Sequence, residues 1–252
     1  MRVVVCLKQI PDPANAYRLD PDNHWLVRPN EQVLDDTDRY GVEMGLQLAQ
    51  ANEGTVTLVS MGPAGNLQGV RQALAMGADK AVVIDDPALR GADALTTAQV
   101  LAAAIEREGF DLVIGGTEST DGYSGVVPQM VAEFLNVPSL TYSNHVEISG
   151  TTVTVHRQTA AGYDLVEAPL PAVITVTAGV VEPRYPTFKG IMDAKKKPLD
   201  TLSTADLGVT VTVEQKVAAV VASTGRTAGD KVEDDGEAHL RIINLLEQVK
   251  VI

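Results

Sequence analysis

The stretch Asp111-Leu112-Val113-Ile114-Gly115-Gly116-Thr117-Glu118-Ser119-Thr120-Asp121-Gly122-Tyr123-Ser124-Gly125-Val126 decides how this chain is read. Its first five residues are a short apolar run ending in glycine, the pattern of a strand buried on both faces of a parallel sheet. A helical pattern follows over 126–135, so the Gly-rich segment between them is a strand-to-helix loop. In an open α/β sheet, ligands bind outside the carboxyl ends of the strands. Here the glycines permit close backbone approach, Ser119, Thr120 and Ser124 supply hydroxyls, and the next helix offers free N–H groups that attract phosphate. A nucleotide phosphate fits such a loop. A plain Gly-rich turn is the competing reading, because the spacing is neither a dinucleotide fingerprint nor a Walker loop. Asp121 likewise has two readings, a ribose ligand or a helix cap.

Working outward, residues 3–7, 55–61 and 81–84 repeat the buried-strand pattern, and 42–51, 65–76 and 92–108 repeat the helical one. Strands alternating with helices predict a doubly wound, mostly parallel α/β sheet. Three further loops line its carboxyl edge: 6–12, 35–38 and 61–64. Cys6 lies within an apolar strand and reads as a buried, unreactive thiol. Residues 145–148, 151–158 and 163–167 alternate polar and apolar, predicting an antiparallel hairpin insertion, and 171–177 returns to a buried strand. A Val-rich strand is expected over 209–222, then a linker over 223–236. Over 237–251, Leu240, Ile243, Leu246 and Val249 share a helical face, which reads as a terminal arm reaching a partner subunit or as a helix packed on its own domain. The expected division is an α/β domain over 1–207 and a C-terminal strand, linker and arm over 208–252.

The 252 residues, 45% of them apolar, can bury a sizeable core, and the formal net charge of −13 argues against nucleic acid as a partner. One cysteine excludes an internal disulfide, and four scattered histidines show no metal-ligand spacing. No catalytic triad or paired-carboxylate pattern stands out, so no side chain is assigned a catalytic role. Neither a membrane-spanning run nor a targeting segment is evident, and the expected location is the cytoplasm. Against this acidic background one run is basic: Glu182-Pro183-Arg184-Tyr185-Pro186-Thr187-Phe188-Lys189-Gly190-Ile191-Met192-Asp193-Ala194-Lys195-Lys196-Lys197. Its prolines impose an extended or turned start, and a short helix is expected from Gly190 onward. Apolar side chains flanked by charge suggest a hot spot inside a steering field, with a solvated basic turn as the alternative.

Taken together, Leu7-Lys8-Gln9-Ile10-Pro11-Asp12, Arg71-Gln72-Ala73-Leu74-Ala75-Met76-Gly77-Ala78-Asp79-Lys80, Glu118-Ser119-Thr120-Asp121-Gly122 and the basic run resemble the β subunit of the electron-transfer flavoproteins, over essentially the whole chain. The resemblance implies a Rossmann-like fold of the adenine nucleotide α-hydrolase-like kind. It implies an obligate heterodimer whose α subunit mainly holds FAD while the β subunit holds AMP. It further implies a non-enzymatic carrier of electrons from flavin dehydrogenases, such as the acyl-CoA dehydrogenases of fatty acid oxidation, to a membrane quinone oxidoreductase, without insertion into the membrane. The AMP contacts it implies are Cys6, Asp35, Asp36, Thr37, Asp38, Met61 and every residue from Gly115 to Val126. The partner-recognition residues it implies are Pro186, Thr187, Phe188, Lys189, Ile191, Met192, Lys195, Lys196 and Lys197, with Phe188 as the anchor.

The chain departs from the family pattern at several points. Asp35-Asp36 replaces the usual Asn-Pro, adding negative charge near the nucleotide. Asp193 stands where lysine is common and trims the positive field. Ala160-Ala161-Gly162 replaces acidic residues after Arg157. Electron-bifurcating members, which bind a second FAD in place of AMP, tend to carry Gly-Asp-Thr-Ala-Gln-Val where this chain has Asp121-Gly122-Tyr123-Ser124-Gly125-Val126, and this favours AMP. The alternatives are a bifurcating subunit with a second FAD and a stand-alone adenine-nucleotide-binding module.

Overall fold

A parallel sheet must bury both faces, because each connection carries its helix across one face or the other. The computed structural model describes residues 1–221, 229 and 231–252. It opens with β1 (Arg2–Cys6), the short antiparallel pair β2 (Gln9–Ile10) and β3 (Val33–Leu34), and then α1 (Asp36–Ala51). Next come β4 (Thr55–Met61), α2 (Gln68–Met76), β5 (Lys80–Ile84), α3 (Ala94–Glu108), β6 (Leu112–Gly116) and α4 (Val127–Phe134). The strands β7 (Ser139–Ser149), β8 (Thr152–Thr159), β9 (Gly162–Pro169) and β10 (Ala172–Val176) precede α5 (Phe188–Ala194) and β11 (Leu199–Leu202). The helix α6 (Ala238–Gln248) belongs to a second compact unit, Ala219–Ile252; the first is Met1–Ala218.

Among the described residues one sheet holds nine strands in the order β11-β5-β4-β1-β6-β10-β7-β8-β9. All pairings from β11 to β7 are parallel, and β8 and β9 add antiparallel. The period-2 alternation of β1 feeds two cores. Val3 and Val5 pack with Val42 and Leu46 of α1 and Leu74 of α2. Val4 packs on the other face with Ala98 and Ile105 of α3 and Val131 of α4. The direction of winding therefore reverses between β1 and β6, which opens a crevice beyond their carboxyl ends.

The doubly wound sheet and hairpin insertion match expectation, and several details do not. The helix α1 begins at Asp36, earlier than the apolar periodicity at Val42 suggests. Its first turn is polar, with Asp36 and Asp38 favoured by the helix dipole and Asp35 as N-cap. The helix α5 begins at Phe188, not Gly190, because Thr187 caps it by accepting from Gly190 N at 3.0 Å. The edge strand β11, parallel to β5, was not expected, since Leu199-Asp200-Thr201-Leu202 is too short and half polar to stand out. The expected strand over 209–222 is not formed in its described part. Val209 and Val211 pack on the α3-side core, Thr96 Oγ1 donates to Thr212 O, and Asp93 takes the N–H groups of Glu214 and Gln215, so the backbone serves α3 instead of a ladder. The first compact unit accordingly runs to Ala218, past the expected boundary at 207. The linker expected over 223–236 lies partly outside the described residues. In the second unit the C-terminal helix forms as expected and buries none of its residues.

The closest approach of α1 to β1 is set by glycine: a Cβ at Gly45 would stand 2.8 Å from Val5 Cγ2. Gly45→Val should therefore push α1 off the sheet and cost about 1 to 3 kcal/mol in thermal or urea unfolding. Gly62→Ala, where no atom lies within 4 Å of the added methyl, is the matched control and should change stability by less than about 0.5 kcal/mol.

Candidate functional site

Three carboxylates organise the crevice at the β1–β6 reversal. Asp35, fully buried just before α1, accepts from Thr37 N at 3.1 Å, Thr37 Oγ1 at 2.9 Å, Thr120 N at 2.6 Å and Thr120 Oγ1 at 2.6 Å. It thereby staples the start of α1 to the loop after β6. Asp38, one turn on and also buried, accepts from Lys8 N at 2.6 Å. Burial, reinforced by Asp35, pushes the Asp38 carboxyl well above its ordinary range against the opposing pull of Lys8. Asp121, its side chain wholly covered, receives Lys8 Nζ at 2.7 Å and Arg28 Nη2. Burial alone would raise the Asp121 carboxyl, but Lys8 and then Arg28 hold it below the usual range. Lys8 Nζ also donates to Ser119 Oγ at 3.3 Å.

Glycine permits this convergence. A Cβ on Gly116 would lie 2.9 Å from Asp38 Oδ1 and 3.3 Å from Thr37 Oγ1, and one on Gly122 would lie 3.0 Å from Ser119 Oγ. Thr37 Oγ1, whose single proton goes to Asp35, lies 3.3 Å from Glu118 O, and Thr117 Oγ1 donates to Val176 O, tying the loop to β10. Tyr123 and Gly125 take left-handed φ values of 47° and 63°. Val126 stands at the N-cap of α4 without a side-chain cap, and Pro128 in the first turn has no N–H. The remaining first-turn donors are thus left for an anion. Gln129, in the same turn, keeps a buried Oε1 without a hydrogen-bond partner. Beside the loop lies a cavity of about 460 Å³, lined by Thr37, Thr117, Glu118, Tyr142, Gln158 and Thr159 among others.

The remaining expected residues fall as follows. Cys6 and Met61 end β1 and β4 and pack toward the α3-side core. Burial foremost, with Asp38 adding, pushes the Cys6 thiol up to about 12, so it is not a nucleophile. Gly115 lies within β6, where a Cβ would touch Pro128. Asp36 is exposed and pairs with Arg39, while Ser124 and Val126 are exposed on the loop. Asp121 does not cap α4; it is the shared partner of two cations.

The basic run occupies a different face. After Pro186, Thr187 caps α5, which shows Phe188 at 82% exposure and, on the same side three and four residues on, Ile191 and Met192 at about half. Gly190 abuts α2, where an added Cβ would fall 2.4 Å from Ala75 O, and Arg71 Nη1 donates to Ala194 O at 2.7 Å. Lys189, Lys195 and Lys196 are exposed. Lys197 instead caps α2, donating to Leu74 O at 3.0 Å and Ala78 O at 2.6 Å.

Fold and site define a doubly wound α/β protein with a glycine-lined site at the winding reversal and a separate apolar, basic helix. The family profile described as Electron transfer flavoprotein domain matches residues 24–207. Subunits named electron transfer flavoprotein subunit beta from Mycobacterium tuberculosis and Megasphaera elsdenii are 41% and 34% identical, covering 99% and 94% of both chains. The caffeyl-CoA reductase-Etf complex subunit CarD of Acetobacterium woodii is 35% identical, covering 83% of this chain and 80% of its own. The chain belongs to the electron transfer flavoprotein family, on the side of its beta subunits. It is thus a member of a family of electron carriers, and the family's subunit naming pairs it with an alpha subunit.

Sequence reasoning placed Lys8 on the edge-lining loop 6–12 without giving it a role, and gave none to Arg28, to Gln129 or to the separate buried pair in which Arg184 Nε donates to Glu43 Oε2 at 2.7 Å. Lys8 had a usable signal, a cation directly after a buried strand. Glu43 had another, a carboxylate between the buried Val42 and Met44, where a charge requires a partner. Arg28 had none, being 93 residues from Asp121.

The two carboxyl shifts have opposite consequences. The stability that Asp38 contributes is fully present below its unfolded value of about 4 and is lost as pH rises through its higher folded value. Asp121 contributes stability above about 4 that is lost as pH falls through its lowered value. The Tm of Asp38→Asn relative to the parent should therefore climb as pH is raised from about 4 to about 8, and that of Asp121→Asn should climb as pH is lowered below about 4. Thermal melts across pH check both, and differences that ignore pH would contradict the assignments.

Proposed function

We propose that this chain is the β subunit of a cytoplasmic electron-transfer flavoprotein heterodimer that holds AMP at the β1–β6 reversal and carries electrons from flavin dehydrogenases to a membrane quinone oxidoreductase. The observation that carries the nucleotide site is the convergence at one sheet edge of a glycine loop and an uncapped helix start, which suit an anionic phosphate. The unpartnered Gln129 Oε1 is an acceptor and would suit a donor such as a hydroxyl or amino group. Gly115, Gly116 and the 117–126 loop would hold AMP, with Lys8 and Arg28 balancing charge around it. The carboxylate of Asp35 already has four donors, so it shapes the loop and is directed at residues 37 and 120. FAD, held mainly by the α subunit, supplies the one- and two-electron chemistry. This chain's part is to hold the nucleotide, retain that subunit and select partners. Of the 208–252 segment, α6, with its exposed apolar side chains, is assigned to contact with the α subunit.

For partner selection we assign α5. An exposed aromatic on a short capped helix among Lys189, Lys195 and Lys196 suits insertion into an apolar pocket on an acidic dehydrogenase surface. A second reading is a bifurcating subunit with FAD in place of AMP.

Denaturing the purified heterodimer and counting released nucleotides decides between them: one FAD and one AMP is expected, and two FAD without AMP would establish the second reading. Phe188→Ala should weaken docking to partner dehydrogenases by on the order of 2 to 4 kcal/mol while leaving nucleotide content unchanged. Raised salt should slow the association rate, and salt-independent association would remove the steering role of the lysines.

A further inference from the structure

The side chain of Arg184 is committed to one carboxylate. Its Nε donates to Glu43 Oε2 at 2.7 Å, its Nη2 to Glu43 Oε1 at 2.9 Å, and its backbone N–H to Glu43 Oε2 at 3.2 Å. Glu43 sits in the middle of α1 with its side chain 3% exposed and takes a further bond from Gln47 Nε2 at 2.8 Å. Burial alone would raise its carboxyl, but the bonds from Arg184 and Gln47 hold it below the usual range. A two-pronged arginine–carboxylate pair fixes direction as well as distance, and removing either partner strands the other.

What this pair anchors is the entry to α5. Next in the chain, Tyr185 is 85% exposed, followed by Pro186 and the cap Thr187. The body and far end of α5 are set by α2, through Gly190 against Ala75 O and through Arg71 on Ala194 O. Its near end is set by α1, through Arg184. The helix that frames the strand-edge site with its first turn thus holds the basic segment with its second and third.

Resting on the reading of α5 as a docking surface, we infer that the Arg184–Glu43 pair is a positioning element for partner recognition: it fixes the angle at which Tyr185 and Phe188 meet the partner, without itself touching the partner or the flavin. Lysine at 184 keeps the charge but loses the fork.

The test uses the heterodimer, reduced in steady state by a flavin dehydrogenase that reduces the parent protein, with Arg184→Lys, Glu43→Gln, Arg184→Gln, the double glutamine variant and Phe188→Ala. Arg184→Lys and Glu43→Gln should each raise the KM for heterodimer roughly tenfold with kcat, FAD and AMP content unchanged, as expected for a displaced hot spot. The double variant should be no worse than the poorer single, because one interaction is lost once. Arg184→Lys keeps charge and stem packing, so it reports even where Arg184→Gln does not assemble. A raised KM in Phe188→Ala with values within about twofold of the parent in Arg184→Lys and Glu43→Gln would overturn the positioning role while sparing the docking reading. No change in Phe188→Ala would remove the docking reading and this inference with it. A loss of kcat, nucleotide content and Tm together in the Arg184 and Glu43 variants would reduce the pair to a structural bond and overturn the inference.

Discussion

Two neighbouring parallel strands, β1 and β6, send their connections to opposite faces of the sheet, and the rest of the molecule is arranged around that divergence. A parallel sheet cannot leave either face wet, so α1 and α2 cover one side and α3 and α4 the other. Where the covering changes sides, no helix spans the strand ends. The chain fills the resulting crevice with polar groups that a closed core would not tolerate unpaired: Asp35, Asp38, Asp121 and the cations that answer them. The same constraint places α2 where its outer surface can carry α5, so the basic segment owes its position to the coverage of β4 and β5.

The polar interior divides its labour by charge state. Asp35 is surrounded by donors from two elements and joins them. Asp121 is matched by two cations and draws residues 8 and 28 to one point. Asp38 has a single backbone donor and a like-charged neighbour, and its proton is correspondingly hard to remove. The aspartate at position 35 has a local counterpart in this arrangement: Thr37 and Thr120 each present a hydroxyl and an N–H to it.

The architecture was legible because its signals are short-range. Buried strands such as 111–115 and Ala-rich helices such as α3 show their period within one window, and the Gly-rich loop shows its position between them. The family assignment was legible too, because it rests on local motifs. What the sequence hid was mostly non-local. Nothing in 209–222 shows that its backbone will be taken up by Asp93 and Thr96, more than 100 residues earlier. Nothing in the lysine triplet shows that Lys197 belongs to the end of α2. The pairings of Arg28 with Asp121 and of Arg184 with Glu43 close loops of 93 and 141 residues. Boundaries were lost for a different reason: the first turns of α1 and α5 are polar, and apolar periodicity is silent there.

Lys197, turned inward onto carbonyl oxygens, changes how the molecule behaves before any contact is made. The outward charge of the basic segment is carried by Lys189, Lys195 and Lys196, on a body whose net charge is −13. On the docking role proposed above, a positive pole on an acidic body would feel a torque as well as a force in the field of an acidic partner. At long range the net repulsion between two acidic proteins would hold random encounters apart. Within about one Debye length, roughly 8 Å at physiological salt, the local pole would prevail and favour approaches that lead with α5. Such a protein would be oriented first and bound second, its outward lysines acting as a compass more than as an adhesive.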